Sequence, residues 1–279
     1  MQQTKGYLRL EGKVWGLNNK EPYSNDLKRN LSIGIQSSKT NSNYVQIGDW
    51  KNSKLNIKIK TTAEGEVEEM NEQDAIQYIK DNFKDGDSVY VNLRADVDTY
   101  HSKLNWLVSQ IYKKSDAVDF DCDEFEEVNE LNQYVVVTEK ATENSLKVGI
   151  ANYQGRMIEL DLALEDDVIK DYITQNAKVG DLMHVSILVD NRPIYEDSNV
   201  STETTKERTT LKGKKIGGNN NTPKIKDRNL VFVLSDIDVD KTESKKYTRE
   251  EIREALESSS YTSSNKNEDN KDEEIDLPF

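Results

Sequence analysis

Aromatic rings and cations share one face of the N-terminal part of this 279-residue sequence. Residues 7–15 alternate: Leu8, Leu10, Gly12 and Val14 fall on one side, and Tyr7, Arg9, Glu11, Lys13 and Trp15 on the other. That is the pattern of a half-buried strand. The same reading of later strands turns Tyr44, Trp50, Tyr90 and Arg94 outward. Flat rings stack on bases and cations neutralise phosphates. The set Tyr7, Arg9, Lys13, Trp15, Tyr44, Trp50, Tyr90 and Arg94 therefore suits a single nucleic-acid strand held without sequence preference. The competing reading is that Trp15 and Trp50, like Trp106, cap the ends of a core.

Further cations lie in one stretch, from Lys206 to Arg228, where only Glu207 and Asp227 oppose them. Lys212, Lys214 and Lys215 are its centre. Gly213, Gly217-Gly218 and Asn219–Asn221 predict a loop that is flexible when free. Such a loop could fold over a bound strand and meet its phosphates; the plain alternative is a solvated insertion. The formal net charge is −14, which argues against a uniformly basic coat but leaves room for a local basic groove.

The last residues carry different chemistry. Asp272, Glu273, Glu274 and Asp276 precede Leu277-Pro278-Phe279. Pro278 fixes one backbone angle and donates no hydrogen bond. Asp276, Leu277, Pro278 and Phe279 can place a ring in a shallow pocket while basic residues of a partner hold the carboxylates. The bland reading is an acidic terminus that aids solubility.

These residues need elements to position them. Strands are expected at residues 7–15, Leu31–Gln36, Tyr44–Trp50 and Leu55–Lys60. A helix follows, with Asn71 as its N-cap and Ile76, Ile79 and Phe83 on one face. Asp85-Gly86-Asp87 turns into strands Val89–Arg94 and Leu104–Tyr112. The chain then repeats itself. Lys84-Asp-Gly-Asp-Ser-Val-Tyr-Val matches Lys178-Val-Gly-Asp-Leu-Met-His-Val, each after a helix carrying Tyr-Ile, at Tyr78-Ile79 and Tyr172-Ile173. A self-match of helix, turn and strand indicates a duplicated unit. Its strands are expected near Gln133–Thr138, Leu146–Asn152, Arg156–Ala163, Met183–Val189 and Leu230–Val239, with a helix near Asp166–Asn176. The third of these strands presents Glu159 and Asp161, which would repel phosphates.

The fold class is all-β with short helices. Two tandem five-stranded OB barrels are expected, followed by a disordered acidic tail. The boundaries are 1–115 for the first barrel and 116–130 for an acidic linker. The second barrel takes 131–245, with its long basic loop at 191–229. A short helix opened by a capping box at Thr248 spans 246–257, and the tail spans 258–279. Cys122 is the one cysteine, so no internal disulfide forms. No secretory h-region and no long apolar run appear, so a soluble cytoplasmic protein without membrane contact is expected.

Enzyme chemistry has little to build on. The two histidines, His101 and His184, are far apart in sequence, no zinc spacing occurs and no Walker-type loop appears. Asp119, Asp121, Asp123 and Glu130 fit four EF-hand positions, but Glu124 stands where the loop needs glycine. No cofactor, catalytic residue or metal site is expected.

The acidic run closing on Leu277-Pro278-Phe279 resembles the tip of bacterial single-stranded DNA-binding proteins. A third strand ending at Trp50, and a helix followed by the turn and Val-rich strand of Lys84–Arg94, are similar to that family as well. The resemblance covers residues 6–112 and the tip, and a viral (phage) two-domain variant fits it. It implies a non-enzymatic protein that coats and protects single-stranded DNA. It also implies that the tip recruits replication, recombination or repair proteins, and it leaves homo-oligomerisation open. The rival readings are an acidic adaptor or DNA mimic that binds basic proteins, and a metal-dependent nuclease.

Overall fold

Leu8, Leu10 and Val14 must be buried on one side while their neighbours stay wet, so strand one needs sheet partners and a core beneath it. The computed structural model supplies both, and describes residues 1–18, 20–195, 208–209, 215–216 and 225–264. In chain order the first half contains β1 (Gly6–Trp15), β2 (Tyr23–Ser24), β3 (Arg29–Gln36), β4 (Ser42–Ile47), β5 (Asn56–Lys60), β6 (Glu68–Asn71), α1 (Glu72–Asn82), β7 (Ser88–Asp98) and β8 (Lys103–Lys113). The second half contains β9 (Asn129–Val137), β10 (Ser145–Ala151), β11 (Met157–Ala163), α2 (Asp167–Asn176), β12 (Leu182–Tyr195), β13 (Arg208–Thr209), β14 (Lys215–Ile216), β15 (Ile225–Glu243) and α3 (Arg249–Ser264). The protein is mostly β, with one large mixed sheet and three helices among the described residues.

Strand pairing runs in two closed circuits. In the first, β1 pairs β3, β3 pairs β4, β4 meets β8 in parallel, β8 pairs β7 and β7 returns to β1. In the second, β9 pairs β10, β10 pairs β11, β11 meets β15 in parallel, β15 pairs β12 and β12 returns to β9. A short annex, β5 with β6, adds to the free edge of β8; β6 was not expected from the sequence. Leu8, Leu10, Ile33, Val91 and Ile111 fill the first interior, and Leu131, Val148, Leu162 and Ile187 the second, all buried. Truncating one such leucine to alanine costs about 2–5 kcal/mol.

The duplication extends to single hydrogen bonds. Gly86 and Gly180 both take a left-handed φ, +90° and +95°, in turns where a carboxylate caps the loop. Asp87 Oδ2 accepts from Lys84 N at 3.0 Å, and Asp181 Oδ2 from Lys178 N at 2.9 Å. Asn71 and Asp166 cap α1 and α2, accepting from Gln73 N and from Val168 N and Ile169 N. Each circuit also has a bulge at the same place. Ser109 is the extra residue opposite Asn92/Leu93 and Ser235 the extra residue opposite Ser186/Ile187. Their hydroxyls donate to Asn92 O at 2.9 Å and to Ser186 O at 3.0 Å.

The two circuits join through their first strands. β1 and β9 run antiparallel with Leu8 opposite Leu131. Those two leucines are equivalent positions. Leu8 faces Leu93 and Leu131 faces Ile187, and the shift that lays Lys84 on Lys178 also lays Leu93 on Ile187. An approximate two-fold axis therefore passes between them, and one chain contains the self-complementary contact usual in a symmetric dimer. One buried cluster runs through both halves.

Two segments differ from expectation. The acidic stretch 116–130 does not hang between the halves. Its Val118 is nearly buried, Glu127 accepts from Ser37 Oγ at 2.5 Å and Asn41 Nδ2 at 2.9 Å, and Asn129 and Glu130 already belong to β9. The expected short helix ending at 257 continues to Ser264. Ile252 and Ala255 seat α3 on Met157, and the buried Ser259 hydroxyl bonds Met157 O at 2.9 Å, which carries the helix into what reads as a polar tether. The capping box forms as expected: Thr248 N donates to Glu251 Oε2 at 2.8 Å, and Glu251 N to Thr248 Oγ1 at 3.2 Å. Among the described residues, no helix is long and apolar enough to cross a membrane.

Candidate nucleic-acid interface

The outward face of the first circuit is built on one cross-strand row. Trp15 stands opposite Gly34, and Gly34 opposite Tyr44. A β-carbon at Gly34 would lie 2.0 Å from the Trp15 ring, so only glycine lets the indole cross β3. The indole then meets Tyr44 edge to face, with centroids 5.1 Å apart and planes at 62°. Lys20 Nζ stands 6.0 Å from the Tyr44 centroid. Tyr44 is 48% exposed, so the pair offers a ring to solvent beside a cation.

The other expected residues fall into separate groups. Trp50, 46% exposed, is met by Lys28 Nζ at 4.3 Å from its ring centre, and Lys28 also pairs with Asp49 at 3.1 Å. Arg9 lies 5.1 Å over the half-exposed Tyr7 ring. Tyr90 sits 6.4 Å from Tyr112, an outward ring that the sequence reading passed over, and its hydroxyl donates to Asn92 at 2.9 Å. Period-two alternation along β8 would have found Tyr112.

Two cations are engaged by the protein itself. Lys13 stands 5.0 Å over the ring of Phe120, which the acidic stretch brings against the first circuit. Arg94 Nη2 is 2.6 Å from Oε1 of the buried Glu72. Losing Arg94 would strand a buried carboxylate, so this arginine has a structural part before any ligand arrives. Trp106 is core, only 6% exposed. Lys212 and Lys214 lie outside the described residues, as do Asp276, Leu277, Pro278 and Phe279; Lys215 is described only as backbone of β14.

The two-fold relation shows what stands at the same places in the second circuit. Through the β9–β10 and β10–β11 registers, Trp15 corresponds to Thr138, Tyr44 to Asp161 and Ser42 to Glu159. Thr138 Oγ1 donates to Glu159 at 2.6 Å, and Lys147 bonds Glu139 at 3.0 Å. A ring with a cation has become two exposed carboxylates. Among its described residues the second circuit has one ring pair, Tyr134 with His184, centroids 4.7 Å apart and planes tilted by 57°. Burial, with Lys241 adding to it, holds the His184 imidazole below its ordinary pKa, while Asp238 opposes the shift. His101 is exposed and bonds Asp98 at 2.7 Å. Asp121, a candidate calcium ligand by spacing, pairs with Lys39 instead. Among the described residues, no group of three or more His, Cys, Asp or Glu is placed to hold a metal ion.

Residues 9–274 match the family model described as YorF. The chain belongs to the YorF family. The family shown by sequence is thus not the one that the acidic tip and Trp50 resemble; that likeness rested on a few residues and their spacing. No curated protein matches the YorF-family chain in sequence. Among solved structures it is similar to a deletion mutant of the single-stranded DNA binding protein from Thermus aquaticus. The identity is 11% and the TM-score 0.37, over 70% of this chain and 98% of that one. So loose a likeness carries no argument about a ligand.

Proposed function

We propose that this YorF-family protein is a non-enzymatic single-stranded DNA-binding protein, and that its two circuits are OB barrels of which the first holds the strand. The observation that carries the reading is the Trp15–Gly34–Tyr44 row with Lys20 beside it, a solvent-facing ring on a rigid sheet next to a cation. Each circuit also follows the strand order one, two, three, five, four, with a parallel contact between three and five, as five-stranded Greek-key barrels do. In such barrels this face takes oligonucleotides. The basic stretch around Lys212, Lys214 and Lys215 adds phosphate contacts, and the acidic tip at Asp276–Phe279 docks replication, recombination or repair proteins.

Intrinsic tryptophan fluorescence titrated with oligo(dT) of increasing length tests the reading. Quenching that saturates at a defined length is expected, because Trp15 belongs to the proposed row and Trp50 is half-exposed beside Lys28. An unchanged spectrum and no mobility shift would leave the acidic adaptor as the better account. Loss of labelled strand on addition of Mg²⁺ would point to the nuclease. The tip is tested separately: Phe279→Ala should remove partner capture and leave DNA affinity unchanged.

A further inference from the structure

We propose that the strand leaving Tyr44 passes into a cleft that only the second half of the molecule completes, and that this cleft receives a base. The inference rests on the single-strand reading above and assigns it a second contact point. β4 touches β8 through the single pair Gln46↔Leu107, and beyond it the two strands part. The gap is a cleft of about 320 Å³ whose near walls carry Tyr44, Gln46, Lys103 and Trp106. Its far wall is Asn191 and Leu230, a paired position on the long β12–β15 hairpin of the second circuit.

That hairpin is fastened in place. Asn191 N donates to Asn41 Oδ1 at 3.0 Å, and Asn191 Nδ2 to Ser42 O at 2.7 Å. The buried Asn41 in turn donates to Val189 O at 3.1 Å. The arm thus lies against the start of β4, two residues before Tyr44. In sequence, the basic stretch falls between the two strands of this same arm. A cation-rich insertion of the second half is thereby rooted beside the aromatic face of the first.

The cleft has the chemistry of a base site. Its lining is mainly polar, with the half-exposed Leu230 and the largely buried Trp106 among its apolar members, so a base edge and a base face both find partners there. Asn43 also lines it, is 2% exposed, and its Nδ2 has no hydrogen-bond partner. A buried donor without an acceptor is unfavourable until one arrives. Bases present such acceptors on their edges, O4 of thymine or O6 and N7 of guanine among them. Lys103, exposed at the mouth, suits the adjoining phosphate.

The test uses the full chain and oligo(dT), with one 5-iodouracil for photocrosslinking. Leu230→Asp should weaken binding roughly tenfold, as for a lost base contact, with the melting temperature unchanged because the side chain is exposed. Val168→Asp, the same charge placed at a still more exposed apolar position on α2, should leave affinity as it was. Crosslinked peptides should include residues from both halves. If Leu230→Asp binds like the intact chain while Trp15→Ala weakens binding, the cleft proposal falls and the single-strand reading stands. Equal loss in Leu230→Asp and Val168→Asp would show a general charge effect and also overturn the cleft. An intact chain that binds no oligo(dT) removes both.

Discussion

The first and second circuits use the same turns, caps and bulge, and face the solvent with opposite chemistry. Ile79 and Ile173 are both fully buried, and Asn82 and Asn176 both return a side-chain hydrogen bond of 2.9 Å to the tyrosine one turn earlier. Yet where the first half places Trp15 and Tyr44, the second places Thr138 and Asp161. Inward positions are held by packing density and by buried polar groups that need partners, so they change little. Outward positions carry no such constraint and can diverge to a different charge. One half can thus hold a ligand while the other supplies the joined sheet and the long arm.

Placing the second half's residue in the first should have the largest effect. Tyr44→Asp should lower oligo(dT) affinity by two orders of magnitude or more. It removes a stacking ring, about 1–3 kcal/mol, and sets a carboxylate against phosphate. Circular dichroism should show the fold retained, since Tyr44 is half-exposed. Binding that stays within a few-fold of the intact chain would mean that the Trp15–Tyr44 row is not the site. Next in size, Trp15→Ala and Trp50→Ala should each weaken binding by about 1–3 kcal/mol in the fluorescence or mobility-shift titration. Loss of folding in both would make them core residues instead. In the other direction, Glu159→Lys with Asp161→Lys should strengthen binding modestly at low salt and steepen its salt dependence. No change at low salt would place the second circuit's face away from the strand altogether.

The smallest effect concerns a feature that both halves share. Asp96 and Asp190 occupy equivalent positions on β7 and β12, and both carboxyls are pushed above the usual carboxylate range, first by burial. Asp49 adds to this at Asp96, and Glu127 and Glu165 at Asp190; Lys28 and Arg192 oppose it. A raised folded-state pKa means the folded chain holds the proton to higher pH than the unfolded chain does. Stability is therefore favoured at low pH and falls as pH rises through the folded pKa. Asp190→Asn should raise the melting temperature at pH 7, with the gain shrinking toward pH 3. A gain that does not shrink on acidification would show that the carboxylate's charge is not the cause.

Much of the interior was legible from residue order. Period-two alternation marked β1, β3 and β4, the Lys84 and Lys178 turns revealed the duplication, and Thr248 announced α3. A second repeat went unread: Leu107-Val-Ser-Gln-Ile111 against Val233-Leu-Ser-Asp-Ile237, whose serines fill the two bulges. These signals are local, because turns, caps and strand faces depend on residues a few positions apart.

Residue order alone sets the type of the longer elements, the inward face of the strands that alternate, and the segregation of rings and cations from carboxylates. Which elements meet is settled in three dimensions. Nothing local in Gly6–Leu10 or Asn129–Gln133 says that these strands pair, since a free strand edge accepts any complementary edge that the rest of the fold brings to it. Nothing near Lys13 points to Phe120, and nothing near Tyr44 points to Asn191 or Leu230. Arg94 reads as a free cation until the fold sets the buried Glu72 against it. Contacts between residues distant in sequence depend on loop closure and on the packing of the whole core, and no short window of sequence contains that information.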